Sequence, residues 1–188
     1  MYNLIMKTMQ GKHRKEFGFF LNELGFLGNG IEIGVAEGNY SERILKTSNL
    51  TKFYLLDIWE VNSFGMNADP NNERRYRDVV KRMSVYGERV EIIRGNSLEE
   101  FKRFPDHYFD FIYLDANHEY EYIKLDIENW YPKCRMGGIF AGHDYFNGMT
   151  KRGLCRVKDA VDEFCYLYGL VVNLTSGTER CPTSWYIK

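Results

Sequence analysis

Short apolar runs and helical stripes alternate along this chain. Seven runs have the length and the β-branched or aromatic content of buried strands. They lie at residues 31–33, 52–56, 90–94, 109–114, 139–142, 170–174 and 184–187. Between the first six runs, apolar residues recur at three- and four-residue steps, which predicts helices. These cover residues 40–46, 73–86, 98–103, 119–130 and 154–168. The alternation predicts an α/β fold with a seven-stranded, mostly parallel sheet and helices on both faces.

The residues before the first strand form a predicted helical preface. Phe17, Phe20 and Leu24 recur at helical spacing, and glycines then end the pattern. A chain of 188 residues with 44% hydrophobic residues is typical of one domain with a sizeable core. We therefore expect a single domain, with the preface at 1–29 and the core at 30–188.

The charge balance argues against some classes of partner. The chain has 25 Lys and Arg residues against 26 Asp and Glu residues, a net charge of -1. No strong field therefore attracts nucleic acid or an anionic membrane. Basic clusters at 12–15 and 74–77 lie beside acids, a pattern typical of solvated helix faces. We expect a small-molecule partner, and neither nucleic acid nor a membrane.

The cysteines and the apolar runs indicate a compartment. The four cysteines, at 134, 155, 165 and 181, include no C-x-x-C pair, which predicts buried or idle reduced thiols. No charged-then-apolar leader opens the chain, and no apolar run approaches the length of a membrane span. These features predict a cytoplasmic protein. They do not define its oligomeric state, and a homo-oligomer is compatible with them.

The first predicted strand breaks at a glycine turn that carries acids. Gly34 and Gly38 bracket the turn, where bare backbone can approach a ligand. Glu32 in the strand and Glu37 in the turn disfavour a pyrophosphate, and they suit an ammonium or sulfonium group. An ordinary strand-to-helix turn with solvated acids explains this stretch equally well.

Helix starts have local signals. Asn39 or Ser41 can cap the helix after the glycine turn. Ser97, followed by Glu100 three residues later, predicts a capping box for the helix at 98–103.

Polar residues follow the ends of five predicted strands. They lie at 34–38, 57, 96–97, 115–118 and 143–144. Because the carboxyl ends of parallel strands meet at one edge of a sheet, we expect these residues to surround one ligand site. Asp57 follows Gly34 by 23 positions, close to the separation of about 20 at which an acid on the second strand meets a ribose hydroxyl.

Several motifs together resemble one family. They are Glu32-x-Gly34-x-x-x-Gly38-x-x-Ser41, Asp57-Ile58-Trp59, Gly95-Asn96-Ser97, Asp115-Ala116-Asn117-His118-x-Tyr120 with Asp126 and Trp130, Gly137-Gly138, and His143-Asp144-Tyr145. Over residues 28–188 the chain resembles a class I S-adenosylmethionine-dependent methyltransferase. More narrowly, it is similar to the small-molecule methyltransferases grouped with macrocin O-methyltransferase and cephalosporin-hydroxylase-like proteins. The resemblance implies the Rossmann-like fold of that class.

The resemblance implies a binding site for S-adenosylmethionine. The implied residues are Glu32, Gly34, Glu37, Gly38 and the nearby Ser41 at the methionine end, Asp57 at the ribose, Asn96 and Ser97 near the adenine, and Ile58 or Trp59 on the adenine face. For Trp59 a purely structural place in the core is the open alternative.

The resemblance also implies a divalent metal and a base. Metal-dependent members hold the ion with residues that correspond to Asp115, His143 and Asp144. An oxygen ligand is usual where His143 stands; a nitrogen ligand suits Mn²⁺, Fe²⁺ or Zn²⁺ better than Mg²⁺. His143 facing the substrate is the alternative. His118 corresponds to the general base, and a histidine that stabilises a helix start is its alternative.

The expected activity is methyl transfer from S-adenosylmethionine to a hydroxyl of a sugar or other small molecule, with Asp115 and His118 as catalytic residues. A nicotinamide-dependent oxidoreductase or epimerase is a rival, but the missing third glycine and the acidic turn disfavour it. A non-catalytic cofactor-binding protein is another rival. Loops at 61–72 and 146–153 are predicted lids over the acceptor pocket.

Overall fold

The computed structural model describes residues 13–60, 69–151, 153–175 and 184–187. Its strands are β1 Asn29–Ile33, β2 Lys52–Asp57, β3 Val90–Arg94, β4 Phe109–Leu114, β5 Cys134–Gly142, β6 Asn147–Thr150, β7 Gly153–Arg156, β8 Asn173–Leu174 and β9 Ser184–Ile187. Its helices are α1 Phe17–Glu23, α2 Asn39–Thr47, α3 Asn72–Met83, α4 Ser97–Glu100, α5 Tyr120–Trp130 and α6 Val157–Tyr168. Short 3₁₀ turns lie at Arg14–Glu16, Ser84–Arg89, Phe101–Arg103 and Tyr131–Lys133.

The central sheet has the strand order β3-β2-β1-β4-β5-β9-β8. Strands β1 to β5 run parallel, and β9 pairs antiparallel with both β5 and β8. The strand order reverses between β1 and β4, which makes the carboxyl ends of these two strands the switch point where open α/β sheets bind ligands. The prediction of a parallel sheet is confirmed for five strands, and the last two strands are antiparallel to them.

Helices cover both faces of the sheet, as predicted. On β4, Phe111 lies 5.6 Å from the ring of Phe17 in α1 and belongs to the cluster that α2 and α3 complete. The next residue, Ile112, faces the other side and packs in a cluster with Ile127 of α5 and Val161 of α6. Burial of each such side chain contributes about 1.5–3 kcal/mol. The sheet is therefore packed on both faces, and this packing fixes the positions of the strand ends that carry the site residues.

The segment after β5 is a hairpin rather than a loop. Strands β6 and β7 pair antiparallel, with Met149 opposite Leu154, and α6 begins only at Val157. The predictions of a loop at 146–153 and of a helix start at 154 are therefore wrong. Tertiary contacts stabilise the hairpin, since Cys155 is buried and the side chain of Asn147 donates to Asp159 of α6.

Other boundaries differ more modestly. α3 ends at Met83 because the chain enters the 3₁₀ turn Ser84–Arg89, in which Gly87 has a φ of +54°. β5 begins at Cys134, so the glycine pair at 137–138 lies inside the strand, where its register with β4 shifts. β8 is much shorter than the predicted strand at 170–174.

Two predicted helix caps are wrong. Gly38, with a φ of +72°, is the N-cap residue of α2, in place of either residue predicted there. Asn96 is the N-cap residue of α4, where its Oδ1 accepts from the amide of Leu98 at 3.0 Å. The predicted capping box at Ser97 is absent because Ser97 is already the first helical residue.

Three cysteines, at 134, 155 and 165, are free and buried, as predicted. Cys181 and residues 61–68 of the first predicted lid lie outside the described residues. Within the described segments, no helix has the length and apolar content needed to cross a bilayer.

Candidate active site

The tips of β1 and β4 meet at Gly34. Its amide donates to the carbonyl oxygen of Leu56 on β2 at 2.9 Å, and its φ is +91°. A Cβ atom at this position would come well inside 3.0 Å of the carbonyl oxygen of Asp115. The bare backbone predicted here is therefore needed within the protein, since only glycine lets the strand tips approach so closely.

Glu32 and Ser41 join β1 to α2. Both side chains are buried, and the hydroxyl of Ser41 donates to Oε2 of Glu32. Burial raises the pKa of Glu32 well above its usual range, although the hydrogen bond from Ser41 opposes the shift. This hydrogen bond joins the strand before the glycine turn to the helix after it, and so stabilises the turn. Their assignment to the methionine end of a cofactor stays a prediction.

Asp57 fixes the glycine turn from the tip of β2. Its Oδ2 accepts from the amide of Ala36 at 2.7 Å, and its Oδ1 accepts from the amide of Trp59 at 3.0 Å. Burial raises the pKa of Asp57, and backbone hydrogen bonds, led by the one from Ala36, oppose this shift. Ala36 and Trp59 both have positive φ angles, +49° and +37°. Asp57 accepts hydrogen bonds from both residues and so holds the backbone in this unfavourable conformation.

Trp59 belongs to the core. It is fully buried, its Nε1 donates to the carbonyl oxygen of Ala36 at 2.9 Å, and its ring lies 5.3 Å from that of Tyr76. This burial supports the alternative of a structural place for Trp59 in the core, and its contact with adenine stays a prediction. Its partner in that prediction, Ile58, is partly exposed at the same strand tip.

Glu37 points toward α3. Its Oε1 lies 2.8 Å from Nε of Arg75, and Arg75 also pairs with Asp69. Arg82 lies two turns further along α3. It donates to the carbonyl oxygen of Glu37 and to Oδ1 of Asn39, the latter at 3.0 Å. The turn that Gly34 and Gly38 bracket is therefore clamped by two arginines. The prediction that Glu37 contacts a cofactor remains untested.

Acids and histidines converge at the tips of β4 and β5. His118 Nε2 lies 3.4 Å from Oδ1 of Asp115, and its Nδ1 lies 3.3 Å from Oδ2 of Asp144. His143 Nδ1 lies 3.0 Å from Oδ1 of Asp144 and 3.7 Å from Oδ1 of Asp115. All four side chains are largely covered. The expected convergence of residues from two strand tips is thus present in the structure.

The compact ligand set differs from the predicted one. Among the described residues, Asp115, His118 and Asp144 offer ligand atoms that all lie within 4.8 Å of one another. His118, rather than His143, completes this compact set with the two aspartates, and the metal site predicted at Asp115, His143 and Asp144 stays a prediction. Two carboxylate oxygens and one imidazole nitrogen form a donor set that suits Mn²⁺, Fe²⁺ or Zn²⁺. The residues fit a divalent cation chemically.

Backbone hydrogen bonds hold this cluster in place. The amide of Asp115 donates to the carbonyl oxygen of Ile33 at 2.7 Å, and that of His143 donates to Leu114 at 2.9 Å. The amide of Arg156, in the unpredicted hairpin, donates to the carbonyl oxygen of His118 at 2.8 Å. Elements far apart in sequence therefore fix the histidine and its acidic neighbours.

Asn96 and Ser97 begin α4, at the tip of β3. The carbonyl oxygen of Ser97 accepts from Nε1 of Trp130 at 3.2 Å, and its side chain hydrogen-bonds to Asp126. Burial raises the pKa of Asp126 to about 7. The motif residues Asp126 and Trp130 thus position Ser97, and a place near adenine for Asn96 and Ser97 stays a prediction.

Two residues with a part in this site were missed. Arg14 and Arg75 lie in the basic clusters whose pattern predicts solvated helix faces, yet both side chains are largely covered and face site acids. For Arg75 a signal exists, because it precedes the buried Val79 by four positions and so lies on the inward stripe of α3. For Arg14 the contacts are with distant residues, and no local pattern predicts them.

Structural comparison shows the fold of methyltransferases. A candidate caffeoyl-CoA O-methyltransferase from Staphylococcus aureus superposes with a TM-score of 0.70 at 18% identity, over 93% of this chain and 82% of that one. A 1,6-didemethyltoxoflavin-N1-methyltransferase from Burkholderia thailandensis, solved with S-adenosylhomocysteine, gives 0.62 at 11% identity, over 93% and 76%. An O-methyltransferase family protein from Burkholderia thailandensis gives 0.63 at 14% identity, over 93% and 59%.

Sequence comparison defines the family. The family model described as "Methyltransferase domain" matches residues 31–145, which include the glycine turn and the acid and histidine cluster. The chain belongs to this methyltransferase family, and the resemblance to class I methyltransferases is confirmed. Among curated proteins, none matches the sequence.

Proposed function

We propose that this protein transfers the methyl group of S-adenosylmethionine to a hydroxyl of a sugar or other small molecule. The observation that carries the proposal is the position of His118, which lies between the carboxylates of Asp115 and Asp144 beside the switch point of the sheet. Family membership supports the reaction class. The acidic strand tips support a cationic cofactor, because carboxylates attract ammonium and sulfonium groups.

The residues fit S-adenosylmethionine. Gly34 and Gly38, which bracket the turn after β1, expose backbone at its two ends, and Asp57 lies at the second strand tip, where a ribose is bound in related sheets. The bound cofactor supplies a methyl group on a positively charged sulfur, which is already activated for transfer. The protein's own task is then to align the acceptor hydroxyl and to remove its proton, and alignment alone supplies about 7–11 kcal/mol.

His118 is the proposed base. With Nδ1–H donating to Asp144, Nε2 is the nitrogen left to accept the proton of the acceptor hydroxyl. Nε2 is buried beside Asp115, so the proposed role requires the acceptor to enter between these two side chains, where Asp115 then stabilises the positive charge that the imidazole gains. Asp115 and Asp144 also restrict the orientation of the ring. A base in this position accelerates transfer by roughly a hundred- to ten-thousandfold.

A divalent cation is the second candidate for activation of the hydroxyl, favoured by the mutual proximity of ligand atoms in Asp115, His118 and Asp144. These three residues would hold the ion, which would act as a Lewis acid on the acceptor oxygen. Because His118 cannot both bind an ion and accept the proton at the same nitrogen, the two schemes predict different metal dependence.

Calorimetric titration with S-adenosylhomocysteine and with NAD tests the cofactor. We expect micromolar affinity for the former and none for NAD; the reverse would favour the nicotinamide-dependent rival. The titration is repeated with Mn²⁺ and Mg²⁺, and activity is measured on a panel of sugar and catechol hydroxyls before and after treatment with EDTA. Activity that survives EDTA supports His118 as base, whereas full loss that Mn²⁺ restores supports the cation. Binding without turnover on the whole panel would favour a non-catalytic protein.

Asp115→Ala separates catalysis from cofactor binding. Since Asp115 lies beside His118, its loss should abolish transfer and leave the affinity for S-adenosylhomocysteine nearly unchanged. An equal loss of cofactor affinity would contradict the proposed place of Asp115 on the acceptor side.

A further inference from the structure

The described acids at the edge of the site provide no binding group for one part of the proposed cofactor. S-adenosylmethionine carries an ammonium, a sulfonium and also a carboxylate. Acids near the glycine turn, Glu37 and Asp57, suit the two cationic groups, but they repel the carboxylate. A basic side chain near the glycine turn would offset this repulsion and bind the carboxylate. Arg75 and Arg82 lie at the glycine turn, but Arg75 pairs with two carboxylates and Arg82 donates to the turn itself.

Arg14 reaches the site from the other side, at the tip of β4. Its Nη1 is 3.3 Å from the hydroxyl of Tyr113, the last residue but one of β4, and 3.8 Å from Oδ2 of Asp115. Its guanidinium carbon lies 5.3 Å from the ring centre of Tyr40, in the first turn of α2. The guanidinium thus stands between the tip of β4 and the helix that follows the glycine turn.

The chain holds Arg14 firmly in this place. The hydroxyl of Tyr40 donates to the carbonyl oxygen of Arg14 at 3.3 Å, and the rings of Tyr40 and Tyr113 lie 4.3 Å apart. The 3₁₀ turn that begins at Arg14 has a capping box between His13 and Glu16. A side chain ordered before the ligand arrives loses little entropy on binding.

We infer that Arg14 binds the carboxylate of the methionine end of the cofactor. The planar guanidinium can donate two parallel hydrogen bonds to a carboxylate. Because it is weakly hydrated, it forms partly buried ion pairs more readily than an ammonium group does. The inference rests on the proposed function. An acidic acceptor presents the same chemistry, but the contacts of Arg14 with Tyr40 and Tyr113 place it beside the glycine turn, which favours the cofactor.

Titration of three ligands tests this assignment. S-adenosylhomocysteine contains the carboxylate, its decarboxylated analogue S-adenosyl-3-thiopropylamine lacks only that group, and methylthioadenosine lacks the amino-acid end. In Arg14→Gln we expect the affinity for S-adenosylhomocysteine to fall by roughly ten- to a hundredfold, the loss of a charge-assisted pair. Affinities for the other two ligands should stay within about threefold. Arg14→Lys, which keeps the charge without the planar guanidinium, should lose less than Arg14→Gln.

Arg43→Gln is the matched control, since Arg43 is exposed on α2, and it should leave all three affinities unchanged. Thermal unfolding of each variant verifies that the fold is intact. Equal weakening of all three ligands in Arg14→Gln would overturn the inference, and so would an unchanged affinity for S-adenosylhomocysteine, which would leave an acidic acceptor as the partner of Arg14. If wild-type protein binds none of the three, the proposed function fails and the failure does not concern Arg14.

Discussion

Two aspartates at opposite ends of β4 have contrasting surroundings. Asp110 accepts from the amide of Gly28 at 2.8 Å and from Nε of Arg135, so its charge is balanced by a fixed cation. Asp115 faces two imidazoles and a more distant arginine. A carboxylate paired with arginine holds structure together, because arginine does not release its proton. A carboxylate beside histidines can support proton transfer, because imidazole titrates near neutral pH. The same residue type thus has a structural environment at one edge and, under the proposed function, a catalytic one at the other.

The largest expected effect tests the carboxyl edge. His118→Ala should lower kcat by about a hundred- to ten-thousandfold, or roughly 3–5 kcal/mol of barrier, because the proposed base is removed. Methyl transfer to an acceptor that the wild-type protein accepts measures this loss. Asp110→Asn is the control at the other edge and should retain kcat. If His118→Ala were as active as wild type, the edge that carries Asp115 and His118 would have no catalytic role through His118.

The next effect compares glycines at the two edges. Gly34→Ala should destabilise the fold by about 3–4 kcal/mol, since the strain of a positive φ adds to a clash with the Asp115 carbonyl. Gly137→Ala has a similar φ of +73° with open space around the new methyl group, and should cost about 1–2 kcal/mol. Urea unfolding of both variants measures the difference. Equal losses would show that the close approach of β1 and β4 contributes nothing.

A third aspartate adds a pH dependence. Asp126 is buried, its Oδ1 has no hydrogen-bond partner among the described residues, and burial raises its pKa to about 7. Between about pH 4 and 7 the folded state keeps this proton while the unfolded state releases it, so this residue's contribution to stability falls as pH rises. Asp126→Asn lacks this effect. Relative to wild type, its free energy of unfolding should gain about 3 kcal/mol across that range. Parallel pH profiles for the two proteins would contradict the assignment.

The smallest effect concerns the structural edge. Asp110→Asn should cost about 2 kcal/mol in unfolding free energy, because Arg135 loses a partly covered ionic partner. Affinity for S-adenosylhomocysteine should not change. Denaturation together with calorimetry measures both quantities, and a selective loss of binding would show that the two edges are coupled.

Most of the framework could be predicted because it depends on local patterns. Buried strands such as β4 are apolar runs, interrupted there only by Asp110, and the acid that follows β4 is visible at once. The hairpin of β6 and β7 could not be predicted, since its strands are short, glycine-rich and largely exposed, and it depends on contacts with α6. The same limit applies to the burial of Trp59, which packs on Tyr76 of α3, and to the compact grouping of His118 with Asp115 and Asp144. Motifs identify residue types at strand tips, but only side-chain geometry shows which atoms meet.

The hydrogen bond from Arg156 to His118 has a consequence for the order of events during synthesis. Ile33 pairs with Leu114, and His118 is fixed by a hairpin still further along the chain. Ribosomes add about 5–20 residues each second. The glycine turn therefore emerges seconds before the base is anchored, and a growing chain can fold its first strands without carrying the completed site. If His118 is the base, a chain that has not yet made this hairpin cannot place it, so the proposed base is positioned only after residue 156 has been made.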